Sequence, residues 1–203
     1  MKRILLVFLL LLLVAVALGA RFLLHVADGG FSTRTAPTGL EEELARAARH
    51  WAVPSSARSQ TNPVANTPEV LAEARAHWAD HCANCHANDG SGDTEMGRNL
   101  YPRAPDMRAA ATQQLSDGEL FWVIQNGVRM TGMPAWGSGT KHDAEDSWKL
   151  VRFIRRLPSM TPEEVQEMSK MNPKTPAELE EEKAEEGFLN GGNAHAPEQH
   201  HHH

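Results

Sequence analysis

Cysteine is nearly absent from this chain: Cys82 and Cys85 are the only two in 203 residues. A structural zinc site closes on four cysteine or histidine ligands at finger spacing, and this scarcity leaves it short of them. A thioredoxin-like thiol pair belongs in a βαβ setting, yet no stretch here shows convincing strand alternation. Positive charge is also in deficit. Twenty Lys and Arg stand against 26 Asp and Glu, for a net charge of −6. No basic field covers the chain, which argues against nucleic acid as its main partner. The deficit is uneven: residues 1–66 carry 7 basic and 4 acidic groups, 67–158 carry 10 and 12, and 159–203 carry 3 and 10. The acidity sits in the C-terminal tail.

Long apolar runs are confined to one place. Lys2 and Arg3 precede an apolar stretch from Ile4 to Ala20, and apolar character resumes after Arg21 as far as Ala27. A membrane-spanning helix needs ~20 such residues. Residues 4–27 meet that length if Arg21 snorkels to the far interface. The competing reading is a signal peptide cleaved near Ala17-Leu18-Gly19, which would leave a soluble periplasmic protein. The resumption after Arg21 favours the retained anchor, 1–27. Lys2 and Arg3 favour a cytoplasmic N-terminus and export of the remainder.

Residues 28–66 read as a linker of turn-forming composition interrupted by one short amphipathic helix. In that helix, Leu40–Ala52, Leu44, Ala47, Ala48 and Trp51 recur at helical spacing. At Thr67 the texture changes. Thr67-Pro68-Glu69 is a helix start, with a Thr cap, Pro at the first position and an early acid. This helix is expected to run to about Cys82–Cys85. Ser116-Asp117-Gly118-Glu119 has capping-box form and opens a second helix that Gly127 stops. A third, over about Asp143–Leu157, places Trp148, Val151, Ile154 and Leu157 in register. The result is a small all-α domain, 67–158. Its 87–115 connection is too long to be idle in a compact domain, and its helices are too few to bury much apolar surface unaided. A large apolar body at the centre resolves both difficulties. The tail, 159–203, starts helices at Thr161-Pro162 and Thr175-Pro176. It is then expected to become a solvated acidic helix and to end in disorder.

Cys82-Ala83-Asn84-Cys85-His86 has the spacing of a c-type haem attachment site. Each sulfur adds to one haem vinyl group, and the adjacent imidazole of His86 is placed to coordinate the iron. His77 and His81 lie on the preceding helix and read as exposed or capping groups. For the sixth ligand the sequence offers Met133, between Gly132 and Pro134, in NGVRMTGMPAWG. Glycine lets backbone approach a haem face and proline stiffens the presenting loop. Met130 is the rival on the same loop. Met96 and Met107 read as packing or exposed, and Met160, Met168 and Met171 as belonging to the tail.

Residues 67–158, through CANCH, LYPRAPDM and NGVRMTGMPAWG, resemble a class I c-type cytochrome. The likeness is to the single-haem modules of bacterial respiratory chains, including cytochrome subunits of haem–copper oxidases. The resemblance implies a helical fold wrapped around one covalently bound haem c. Cys82 and Cys85 would attach it, and His86 and Met133 would be axial. Met107 stands where the family has a leucine after Pro-Asp, which puts a second sulfur in the neighbourhood. The Tyr101–Pro105 loop is expected to supply a carbonyl acceptor for the second ring nitrogen of His86. Arg103 and the Trp136 indole are candidate donors to the haem propionates.

The function so implied is that of a one-electron carrier, not an enzyme. It would be tethered to the periplasmic face of a bacterial inner membrane and exchange electrons with a membrane-bound oxidase or reductase. Two other readings stay open. One is a haem sensor of gas or redox state with a displaceable sixth ligand. The other is metal handling by the histidine-rich end, HAPEQHHHH, which reads equally as a cloning remnant or a solvated tail. A single attachment motif disfavours a di-haem peroxidase.

Overall fold

The computed structural model describes residues 2–30 and 32–189; among these every regular element is helical. The histidine-rich end lies outside the described residues.

Helix α1, Lys2–Gly29, runs without a break through Arg21. Its first 24 residues, Lys2–His25, have a mean hydropathy of 2.8 and bury none of their surface in the protein. That makes α1 long and apolar enough to cross a membrane. Helix α2, Gly39–Ala52, opens on a full capping box between Thr38 and Glu41. A short helix, α3 (Ser55–Arg58), leads to the module that carries the site.

That module is built on three helices. Helix α4, Pro68–His77, is capped by the Thr67 hydroxyl. It passes into a wide π turn, Trp78–Cys82, and then into α5, Ala83–His86. The sequence predicts one continuous helix here. The structure keeps it continuous but unwinds one turn, so that the segment carrying the cysteines is re-aimed. Such π insertions frequently sit at functional sites. Helix α8, Asp117–Asn126, starts on the Ser116/Glu119 capping box and ends at Gly127. Helix α9, Lys141–Arg156, starts two residues earlier than its apolar register suggests, because Thr140 caps the Asp143 amide.

Helix α4 packs across α9, and α9 against α8. The core between them includes Ala74, Trp78, Leu120, Ile124, Trp148, Val151, Phe153, Ile154 and Leu157, all buried. Trp78 packs at 5.5 Å on Phe153, and Phe121 stacks on Trp148 at 4.0 Å. Truncating a buried aromatic of this kind costs about 3–5 kcal/mol. The 87–115 connection is less irregular than its composition implies. It contains two single-turn helices, α6 (Glu95–Asn99) and α7 (Ala110–Gln113). Met168, read from sequence as tail, is fully buried in this core. It is carried there by α10, Pro162–Met168, whose Glu164 receives Arg156 at 3.0 Å. Helix α11, Pro176–Leu189, buries nothing.

Candidate functional site

A cleft between the α4–α5 segment, α8, α9 and two loops brings together the chemically distinctive side chains of the module. Cys82, His86, Met107, Met133 and Trp136 line it, with Trp78, Ile124, Leu150 and Ile154 as apolar wall.

Helix α5 supplies the first two groups. Cys82 and Cys85 are three residues apart on helical backbone, so both project to one side. Cys82 lines the cleft and Cys85 is half-buried beside it. Burial, with a smaller contribution from Cys85, pushes the Cys82 thiol up to about 12, and burial also raises Cys85. Reactive redox cysteines and thiolate ligands need the opposite shift. The pair is therefore placed for chemistry in which the sulfur stays uncharged.

His86 ends α5. Burial lowers its pKa, and the Pro105 carbonyl opposes that. The imidazole is thus neutral at neutral pH and keeps a lone pair for a metal. Its Nδ1 is buried and lacks a partner at hydrogen-bond geometry. The Pro105 carbonyl, on the loop expected to supply the acceptor, faces it without closing a full hydrogen bond.

The backbone beyond His86 is locked. Ala87 takes φ +61, and its carbonyl accepts the Trp78 indole N–H at 3.0 Å. Gly92 donates its amide to the His86 carbonyl at 2.9 Å. The Thr94 hydroxyl donates to the Asn84 carbonyl at 2.7 Å. Gly92 and Gly97 lie so close to the Ala104 and Cys85 carbonyls that any side chain would collide. The 87–109 loop is thereby clamped against α5. Met107 is held over the cleft from behind, where Gln113 Nε2 donates to the Met107 carbonyl at 2.7 Å and the Ile154 carbonyl at 2.9 Å.

The opposite lip is the 127–137 loop, tied back onto the end of α8. Val128 donates to the Met133 carbonyl at 3.1 Å, Trp136 to Ile124 at 3.0 Å, and Gly137 to Gln125 at 3.1 Å. The loop separates its two methionines. Met133 faces the cleft. Met130, at φ +62, is 91% exposed.

Trp136 also lines the cleft, partly exposed, and stacks on His81 at 5.6 Å with an 11° interplanar angle. His77 meets His81 edge-on at 5.0 Å, and burial lowers the His77 pKa. Among the described residues no group of three His, Cys, Asp or Glu side chains is arranged to hold a metal ion. Arg103 is exposed and does not line the cleft. Sequence reasoning did not find Trp78, Ile124, Leu150 and Ile154 as cleft residues. They look like ordinary core positions, and only the packing of the α4–α5 segment against α8 and α9 brings them beside Cys82.

The donor set suits a haem. The Cys82 thiol, the His86 imidazole and the Met133 thioether line one apolar cleft with Cys85 beside it, and each group is one that haem c uses. Residues 69–154 match the family model described as cytochrome C oxidase, cbb3-type, subunit III. No curated protein matches the chain.

Proposed function

We propose, from the premise that residues 69–154 are a class I c-type cytochrome module, that this chain is a membrane-tethered one-electron carrier. Modules of this family carry haem c in electron transfer. The finer reading is that the group is attached through Cys82 and Cys85, with His86 and Met133 as its axial ligands. A single observation supports it: Cys82 and His86, from one helical segment, and Met133, from a loop far along the chain, line one cleft.

When bound, the haem supplies a one-electron couple at iron. The chain's own residues do the rest. Cys82 and Cys85 would hold the group through their sulfurs, whose free thiolate forms burial disfavours. Burial keeps His86 unprotonated and able to coordinate, and Pro105 stands ready to orient the ring through Nδ1. The strapped 127–137 loop limits how far Met133 can move. With His86 and Met133 both holding the iron, the site would leave no position for substrate and would limit rearrangement between oxidation states. Arg103 and Trp136 remain proposed propionate donors; Trp136 is the better supported, since it lines the cleft.

Helix α1 would anchor the module, with the cytochrome on the periplasmic side and an oxidase or reductase of the same membrane as partner. Tethering raises the effective concentration at such a partner. The test is an optical spectrum of the holoprotein made with a haem-maturation system. A methionine-to-iron charge-transfer band in the ferric form, and no CO binding by the ferrous form at neutral pH, is the expected result. A protein that binds CO readily and lacks the band is a sensor or ligand-binding protein, not this carrier.

A further inference from the structure

Helix α2 leaves its apolar stripe unburied. In a soluble protein an amphipathic helix buries its apolar stripe and exposes its charges. In α2 the stripe is Leu40, Leu44, Ala47, Ala48 and Trp51, spaced i, i+4, i+7, i+8 and i+11. All five are exposed, with Leu40 at 72%, Leu44 at 61% and Trp51 at 89%. The cytochrome module holds the helix by its polar residues instead. Glu41 accepts the Tyr101 hydroxyl, and His50 Nδ1 meets the buried Glu119 carboxylate at 3.2 Å. Arg58 reaches His50 Nε2 and the His50 carbonyl, each at 3.0 Å. Arg49, opposite the stripe on the helix, is partly buried in the neighbourhood of Glu119. Directly after the helix, Val53 and Ala57 are buried.

The tether identifies what the stripe meets. Nine residues, 30–38, separate the end of α1 from the start of α2. Fully extended they reach about 30 Å, so α2 can never leave the neighbourhood of the surface from which α1 emerges. A 14-residue helix with leucines and a terminal tryptophan on one face suits the boundary between headgroups and acyl chains. Its charges do not act as a basic membrane-attraction patch, because Arg46 is paired with Glu42 at 2.7 Å and Glu43 at 3.1 Å. Apolar insertion would carry the contact.

We propose that α2 lies in the membrane interface with Leu40, Leu44 and Trp51 in the lipid, fixing the orientation of the cytochrome module on the bilayer. Because α2 grips both the Tyr101 loop and the start of α8, the cleft between them is held at one height and tilt. The module is then a fixed relay rather than a head on a loose string. This rests on the reading of α1 as a retained anchor.

The test uses the full-length holoprotein in liposomes of neutral lipid, spin-labelled at single introduced cysteines: Leu12→Cys in α1, Glu42→Cys on the polar side of α2, and Leu44→Cys and Trp51→Cys on the stripe. Collision with oxygen, which partitions into lipid, is compared with collision with a water-soluble nickel chelate. An unchanged haem spectrum shows that each variant is folded. The expected result is an oxygen-to-nickel ratio severalfold higher at 44 and 51 than at 42, insensitive to salt. Equal ratios at 42, 44 and 51 while Leu12→Cys reads deep would overturn the proposal and leave the anchor standing. An aqueous reading at position 12 overturns both. Shielding of 44 and 51 from both probes reports a protein on the stripe, and likewise overturns it.

Discussion

Val128 donates its amide to the carbonyl of Met133 at 3.1 Å, and the loop between them turns Met130 outward. The sequence favours Met133 over its rival Met130, and of the two only Met133 lines the cleft. Met133→Ala is expected to abolish the methionine-to-iron band and lower the potential, since methionine ligation raises it. Met130→Ala is expected to leave both unchanged. Ferric spectra and redox titrations of the two variants decide the assignment, with Met107→Ala as a third arm because its sulfur lines the same cleft.

Gly127 sets the path of that loop. It has φ +66, and a methyl group added there would stand 2.6 Å from the Pro134 carbonyl carbon. Backbone strain of this kind costs on the order of 1–3 kcal/mol. Gly127→Ala is expected to lower the denaturation midpoint and to let CO compete at the ferrous iron, with haem attachment intact. A stable variant that still resists CO would show that the loop holds Met133 without this turn.

Attachment has its own readout. Cys82→Ala and Cys85→Ala should each leave a single thioether, shifting the alkaline pyridine spectrum toward that of a haem with one free vinyl. The double variant should release its pigment into acidified organic solvent. Retention of the colour after that extraction would rule out attachment at these sulfurs.

Arg155 joins α9 to the turn that launches α8. Its guanidinium donates to Asp117 at 2.9 Å, to the Gln113 carbonyl at 2.7 Å and to the Leu115 carbonyl. Arg155→Ala strands these acceptors and is expected to cost about 1–3 kcal/mol, measured by guanidinium unfolding of the holoprotein. Arg155→Lys should recover only part, because an ammonium cannot serve the three in that fork.

Asp143 gives a pH signature. The Thr140 side chain is the main cause holding its carboxyl below the usual range, with burial opposing and the Ser138 and Thr140 amides assisting. A depressed folded pKa stabilises the protein above the unfolded value, and that contribution is lost as pH falls through the folded one. The gap in thermal midpoint between the native protein and Asp143→Asn should therefore be largest near neutrality and close in acid. A gap that widens in acid contradicts the sign.

The membrane-length apolar run, the helix starts at Thr67, Ser116, Thr161 and Thr175, the stop at Gly127 and the CANCH motif could all be read directly from the chain. Each depends on residues within a few positions of one another, where caps, positive φ and apolar period act locally. The absence of strand alternation likewise set the all-helical class. What lay beyond that reach was decided by packing. The π turn at Trp78–Cys82 joins the part of the segment that packs on α9 to the part that carries the cysteines, and no local signal in the sequence marks it. Met107, read from sequence as packing or exposed, packs against the core, and Met168, read as tail, is buried in it by α10. The direction of the α2 stripe could not be read at all. Periodicity says that one side of a helix is apolar. Only the distant partners Tyr101 and Glu119, by holding the polar side, determine that the apolar side faces out.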